Sequence, residues 1–496
     1  MMGKQSSSEP KLFYYDLRLE ARVPADHLLR QIAARVDFNF VSERVRDRYG
    51  VNGHVSVPPP VILKLMLLLF LYDVASEREL LRALPYRLDW LWFLGYDLDS
   101  AIPDHSVLSK ARRRWGTDVF ETVFARGVAQ CVQAGLVEGR KIHLDGSLVD
   151  ANASNNSICQ GAEVLIGPLR QALQGEMNKL EEAEPATPTP PEPVAERSGT
   201  KRYYQPKNRG LVSTTDPDAA VVRKNPLGPR ARYKHHRVVD DRCGVITAIE
   251  TTAGDVEENA RLMALVDQHE QHTALKAETV VADQQYGTTD NFRDCHARGL
   301  ISHMADLSLS QVQKGTHEGI FGSEGFAYDP VSDTYRCPAG QTLTRRKHKH
   351  VRRAYEYACP AAVCRACPLR PQCTRAQGGA RTIKRHEGQE AIDIAKAQSH
   401  SRAAHRDRCR RKWRMEGSFA DATTHHGFKR ARWRRLWRQK IQDFLIATVQ
   451  NLRTLIRHAD RRGGRIARQV LGAWLQGLAA GASAASAQGF ARPSPA

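Results

Sequence analysis

The chain has 496 residues, 41% hydrophobic and 26% charged, which excludes a wholly disordered polymer and predicts two to four folded units. Lys plus Arg number 74 against 54 Asp plus Glu, an excess of +20 at pH 7 that predicts attraction to a polyanion, weakening steeply with salt. The start, Met-Met-Gly-Lys-Gln-Ser-Ser-Ser, lacks the apolar core of a signal peptide, and the most apolar run, residues 61–71, is interrupted by Lys64 and too short to span a bilayer. The expectation is therefore a cytoplasmic protein with no membrane partner, in a reducing compartment where clustered cysteines suggest metal rather than disulfides.

Residues 13–130 read as an all-helical N-terminal domain. Asp26 is the expected N-cap before Leu28, Leu29, Ile32 and Val36, which recur at helical spacing. Pro58-Pro-Pro60 opens a buried helix, and Ser76 with Glu79 has the spacing of a capping box. Pro103-Asp-His-Ser106 starts another helix, with Leu108, Ala111 and Trp115 on one face and Lys110, Arg112, Arg113 and Arg114 largely on others.

An α/β pattern follows over residues 135–305. Residues 139–155 are a strand and turn in which Ile142 and Leu144 point one way, His143 and Asp145 the other. A helix-like stretch at 161–182 leads into a Pro-rich linker, 183–230. A hairpin turns at Asp241-Arg-Cys-Gly244, a helix is predicted over residues 259–269, and Thr279-Val-Val-Ala-Asp283 is a strand. Residues 306–398 interrupt the pattern and hold half of the ten cysteines. Residues 400–458 resume it, with an amphipathic helix from about 439 to 457, and the tail 460–496 reads as disordered.

Two acidic residues, Asp145 and Asp283, end apolar strand-like runs, and Glu416 lies in a strongly basic helical run. Three carboxylates gathered in space form a hard, oxygen-rich site that suits two Mg²⁺ or Mn²⁺ ions. Such a pair, roughly 4 Å apart, activates a water or hydroxyl and neutralises the leaving oxygen of a phosphodiester. Asp150 competes with Asp145 but fits a loop role better. Residues 401–440 carry fourteen Lys or Arg against Asp407, Glu416 and Asp421, and Trp413, Trp433 and Trp437 lie among them. Aromatics in a basic run suit phosphate contact and base stacking, or equally core anchors beneath a solvated face.

The insertion contains Cys359-Pro-Ala-Ala-Val-Cys364-Arg-Ala-Cys367-Pro-Leu-Arg-Pro-Gln-Cys373, with Cys337 upstream as a fifth thiol. Cys359, Cys364, Cys367 and Cys373 have the short spacing of a structural Zn²⁺ site. An iron–sulfur cluster or buried reduced cysteines are the alternatives.

The stretches His143-Leu-Asp145-Gly-Ser-Leu-Val-Asp150, Val280-Val-Ala-Asp283-Gln-Gln-Tyr286-Gly287 and Arg414-Met-Glu416-Gly-Ser-Phe419 resemble, in this order, the DDE transposases of bacterial insertion sequences. Arg48-Tyr-Gly, Val57-Pro-Pro-Pro-Val-Ile-Leu-Lys-Leu-Met and Pro103-Asp-His-Ser-Val-Leu-Ser-Lys extend the resemblance over about residues 13–457. It implies an RNase H-like mixed-sheet catalytic domain interrupted by insertions and preceded by an all-helical domain that binds the element's ends. The implied catalytic and metal-binding set is Asp145, Asp283 and Glu416. The implied reaction is hydrolysis at transposon ends in double-stranded DNA, then strand transfer into target DNA, by a homodimer or higher assembly. Cys409, Lys412 and Thr423 stand where related elements often carry a Tyr, an Arg and a Lys. Lys412 keeps the charge; Arg414, His425, His426, Lys429 and Arg430 are candidates for the lost phosphate contact, and Arg432 belongs to the same basic, DNA-binding run. The rival readings are an RNase H-like DNA nuclease and a catalytically silent DNA-binding protein derived from a transposase.

Overall fold

The computed structural model describes residue 2 and residues 18–50, 55–160, 211–224, 227–305, 319–376 and 378–459. The helix expected at 161–182, most of the linker and the tail 460–496 lie outside these residues.

The N-terminal region is helical, as expected: α1 (Leu19–Arg22), α2 (Leu28–Arg35), α3 (Phe40–Arg44), α4 (Pro59–Leu71), α5 (Glu77–Ala83), α6 (Leu88–Leu94) and α7 (Ser106–Gln133). Pro59 opens α4, where its missing N–H costs nothing. Every α4 residue is buried except Lys64, whose ammonium donates to the Phe93 carbonyl (2.8 Å) and lies over the Phe38 and Phe93 rings. Ser76 caps α5 by accepting from the Glu79 N–H. Asp26 does not cap α2; the chain enters one residue later and the His27 ring accepts from the Leu29 N–H. Arg112 is not on a solvated face: it is buried, paired with Glu77 and stacked on Trp433.

The sheet contains β1 (Lys141–Asp150), β2 (Ile158–Gln160), β3 (Leu211–Ser213), β4 (Ala220–Lys224), β5 (Leu227–Asp240), β6 (Ile246–Ala253), β7 (Thr279–Val281) and β8 (Ile301–Ser302). Helices α8 (Leu262–Thr273) and α9 (Thr289–Ala297) fall between β6, β7 and β8. Its central strands run β6-β5-β1-β7-β8, with β1, β5 and β6 antiparallel and β7 and β8 parallel to β1, consistent with an RNase H-like fold. The long β5 pairs β4 along its first half and β6 along its second. The described end of the expected linker is thus sheet: Val212 and Val221 bury into it, and β-branched residues outweigh the nearby prolines.

A second sheet, in the order β13-β12-β11-β10-β9, holds the cysteine segment: β9 (Ala327–Asp329), β10 (Thr334–Arg336), β11 (Thr342–Lys349), β12 (Ala354–Ala358) and β13 (Ile383–His386), with α10 (Ala361–Arg365) before β13. The chain then forms α11 (Gln389–Ser399), α12 (Arg402–His426) and α13 (Leu436–Ala459). Ile392 and Ala395 of α11 share a core with Ile142 and Val280, so the sheet's own packing resumes before residue 400. The helical N-terminus is likewise not packed apart: Leu63, Phe124, Val149, Ile249, Met415 and Ile441 lie in one continuous core. Among the described residues, no helix is long and apolar enough to cross a membrane.

Helix α13 is tied to the edge strand β6 through Asn451, whose amide accepts from the Ile246 N–H (2.8 Å) and donates to the Ile246 carbonyl (2.7 Å). The side chain thereby substitutes for a neighbouring strand. Asn451→Leu strands both buried backbone groups, at a cost of about 2–4 kcal/mol. Thermal unfolding should show a midpoint several degrees below wild type; an unchanged midpoint would refute this tether.

Candidate metal centre

Strands β1 and β7 lie side by side and parallel, with His143 opposite Val281. Asp145 lies two residues further along β1, and Asp283 two residues beyond Val281, so adjacent strands deliver both carboxylates to one end of the sheet. Period-two geometry places Ile142 and Leu144 in the core under α8, while on the other face His143 meets Asp241 of the β5–β6 turn and Asp145 meets Arg411 of α12. Asp283 also caps the following 3₁₀ turn, accepting from the Gln285 N–H at 2.8 Å. Asp145 accepts from the Gly146 N–H (2.9 Å) and from the Arg411 guanidinium (2.8 Å).

The third carboxylate here is Glu258, which begins the 3₁₀ turn between β6 and α8. Ligand atoms of Asp145, Glu258 and Asp283 all lie within 4.8 Å of one another, the only such group of His, Cys, Asp or Glu among the described residues. Burial pushes the Asp145 carboxyl above the ordinary range, against the pull of Arg411, and Asp283 adds to the rise. Glu258 is raised by burial too, opposed by Lys234 at 3.6 Å. Tyr286 is wholly buried beside them, and its hydroxyl has no hydrogen-bond partner. Its phenol is pushed well up by burial, then by Glu258, Asp145 and Asp283. An all-oxygen donor set, crowded and part-buried, beside an orphaned hydroxyl, fits a hard divalent cation.

Glu416 is not brought to this group. Helix α12 presents one face to the sheet: Asp407 takes Lys141 (2.9 Å) and His303 (2.8 Å), Arg411 takes Asp145, Arg414 donates to the Asp241 and Arg242 carbonyls, and Ser418 accepts from Arg237. Those positions follow helical spacing. Glu416 comes five residues after Arg411, about 140° round the helix, and is exposed. Glu258 is not legible in the amino-acid order because it looks like an ordinary acid in a helix's first turn, next to Glu257. Only the placement of β6 on the far side of β5 from β1 gives it meaning.

The other expected site residues divide by burial. Asp150 pairs with Arg232 (2.7 Å) and Arg230 (3.0 Å), a structural role at the end of β1. His426 is wholly buried with its ring on the Phe70 carbonyl, and Arg432 is mostly buried against Asp73 and Val74, so both serve the junction with α4 and not a DNA face. Arg414 is largely spent on carbonyls. Lys412, Lys429 and Arg430 are exposed, and residues 429–431 pair with Asp150 at the end of β1. Lys429 reaches Ser147, two residues past Asp145. Trp433 and Trp437 pack against the core, while Trp413 is 66% exposed.

In the second sheet, Cys337, Cys359, Cys364, Cys367 and Cys373 line one pocket that no carboxylate lines. The Cys359 and Cys364 sulfurs are 2.8 Å apart, and burial pushes the Cys359 thiol up to about 12. No three of these sulfurs fall within 4.8 Å of one another.

Arg411 stands where a cation is needed. Arg411→Gln should lower the thermal midpoint in chelator, by loss of a charged hydrogen bond of about 2 kcal/mol, and enlarge the rise caused by Mn²⁺ relative to wild type. An identical Mn²⁺ response in both proteins would contradict this.

Comparison with known families agrees with the geometry. Residues 17–114 match the model of a transposase domain (DUF772), and residues 336–456 match that of a transposase DDE domain. No curated protein matches the chain. With a transposase domain matched at the helical N-terminus and a DDE domain matched from the second sheet into α13, these findings support an insertion-sequence DDE transposase.

Proposed function

We propose that this transposase cleaves double-stranded DNA at the ends of its own element and joins the freed 3′-hydroxyl to target DNA, in a metal-dependent reaction at Asp145 and Asp283. The observation that carries the reading is the convergence of these two carboxylates from adjacent parallel strands at the centre of an RNase H-like sheet. A bound Mg²⁺ or Mn²⁺ pair supplies activation of the attacking oxygen and neutralisation of the leaving one. Asp145 and Asp283 hold that charge in place. Arg411, which pairs with Asp145, would be free to hold a phosphate were Asp145 to bind a cation instead. Lys429 and Arg430, beside the end of β1, and Lys412, on the solvent face of α12, bind the DNA backbone and set its register without reading sequence. The third acidic position lies between Glu416, where the family resemblance puts it, and Glu258, beside the aspartates. The helical N-terminal region binds the element's ends, and two ends are held together by a homodimer or higher assembly.

The thiols of the second sheet are proposed to hold a structural Zn²⁺ through Cys359, Cys364, Cys367 and Cys373, with Cys337 on the same pocket wall. Thiolate donors without a competing carboxylate suit that ion, and its binding draws the sulfurs together. One equivalent of zinc per purified chain, lost in Cys364→Ser/Cys367→Ser, is the expected result; a zinc-free, fully folded wild type would refute it.

The catalytic reading is tested with a labelled duplex carrying the element's ends, in Mg²⁺ or Mn²⁺. Asp145→Asn and Asp283→Asn should bind the ends but neither nick nor join them, while wild type does both. Binding should weaken by about a thousandfold between roughly 50 and 200 mM salt if six or more phosphates are engaged. Nicking without joined products would favour a nuclease. Binding without any cleavage by wild type would favour a silent DNA-binding protein, a reading consistent with Arg411 sitting on Asp145.

A further inference from the structure

The 3₁₀ turn that carries Glu258 is held from several sides. Lys234 donates to the Val256 carbonyl (2.8 Å) and lies 3.6 Å from the Glu258 carboxylate. Arg261, at the turn's other end, pairs with Glu250 of β6. The Asn291 amide donates both to the Asn259 carbonyl (3.1 Å) and to the Tyr286 carbonyl (2.8 Å). One side chain thus joins the turn bearing Glu258 to the turn that follows Asp283. The arrangement is built and not a loose surface cluster.

Gly146 supplies the space. A Cβ on this residue would meet Glu258 at 2.6 Å from Cδ and 2.8 Å from Oε1, closer than real atoms approach. The Glu258 carboxylate therefore lies directly on the β1 backbone, one residue past Asp145, in a slot that a larger residue would fill. The Glu258 side chain is only 13% exposed, so water does little to screen it from the two aspartates. The wholly buried, unpartnered hydroxyl of Tyr286 has these same three carboxylates as its charged neighbours, together with Arg411. A buried hydroxyl without a partner, facing crowded carboxylates, marks a position where a bound ion or its water is missing a contact.

We propose that Glu258 is a direct ligand of the divalent ion held by Asp145 and Asp283, seated by Gly146 and braced by Lys234 and Asn291. This rests on the metal-dependent reading of the site. It gives that site a carboxylate from the β6–α8 turn in addition to those on β1 and after β7, whatever part Glu416 plays on bound DNA.

The test is calorimetric titration of MnCl₂ into the DNA-free full chain, comparing wild type with Glu258→Gln, Gly146→Ala, Asp145→Asn, Asp283→Asn and Glu416→Gln. Asp145→Asn and Asp283→Asn should abolish binding at the site. Glu258→Gln should weaken it by about tenfold or more, and Gly146→Ala should do the same by pushing an intact Glu258 aside. Glu416→Gln should stay close to wild type. Circular dichroism on each variant separates lost folding from lost affinity, and Gly146→Ala gives a second route should Glu258→Gln fold poorly. If Glu258→Gln binds Mn²⁺ as wild type does while Asp145→Asn does not, Glu258 is no ligand and this inference alone falls. If both aspartate variants bind as wild type does, the metal-dependent reading falls and takes the inference with it.

Discussion

Three carboxylates with oxygens within 4.8 Å of one another repel strongly in a part-buried setting, and the rest of the site is organised around that repulsion. Protein cations offset some of it: Arg411 on Asp145 and Lys234 near Glu258. Neither sits between all three acids. The raised carboxyls of Asp145 and Glu258 and the orphaned Tyr286 hydroxyl are what remains uncompensated, and a divalent cation offers the missing charge at the required point. The crowding of these acids suits the centre to a divalent cation.

The crowding is held in place by a scaffold fastened at many points. Helix α12 is fastened to the sheet at Asp407, Arg411, Arg414 and Ser418, one face of a single helix, so its register against β1 is hard to alter. Arg237, which lies opposite Asp145 in the β1–β5 ladder, is wholly buried and donates to Ser418 and Gln450, linking α12 and α13 through the strand that borders the site. Burial lowers its guanidinium to about 10, a cost borne by contacts to Phe419 and Phe428 as well as by hydrogen bonds. The same helix carries exposed Lys412 and Trp413 outward, so the element that closes the site on one side faces solvent with a cation and an aromatic on the other.

Much of this was legible in the amino-acid order. Asp145 and Asp283 stood out through their joint setting in stretches that resemble the transposases, since a lone Asp after an apolar run is more often a turn or cap residue, and the hairpin at 241–244 and the cap at Ser76 follow from local chemistry. What escaped depends on distant partners. His426 and Arg432 sit in a basic run indistinguishable from a DNA face, yet Phe70 and Asp73, more than 350 residues away, bury them. Glu258 needed the strand order before it could be placed. Residues 211–224 looked like linker because prolines and glycines surround them, although Val212 and Val221 complete a sheet edge. The docking of α11 likewise needs distant partners to be seen: Ile392 and Ala395 bury in a core with Ile142 and Val280.

Metal-dependent cleavage at Asp145 and Asp283 requires an ion bound between the two strands. The most direct measurement is anomalous diffraction from crystals of the full chain grown with Mn²⁺. The expected result is a manganese peak bounded by Asp145, Asp283 and Glu258, with the Arg411 guanidinium displaced from Asp145. Well-diffracting crystals with no peak there, and Arg411 still paired with Asp145 at saturating Mn²⁺, would contradict it.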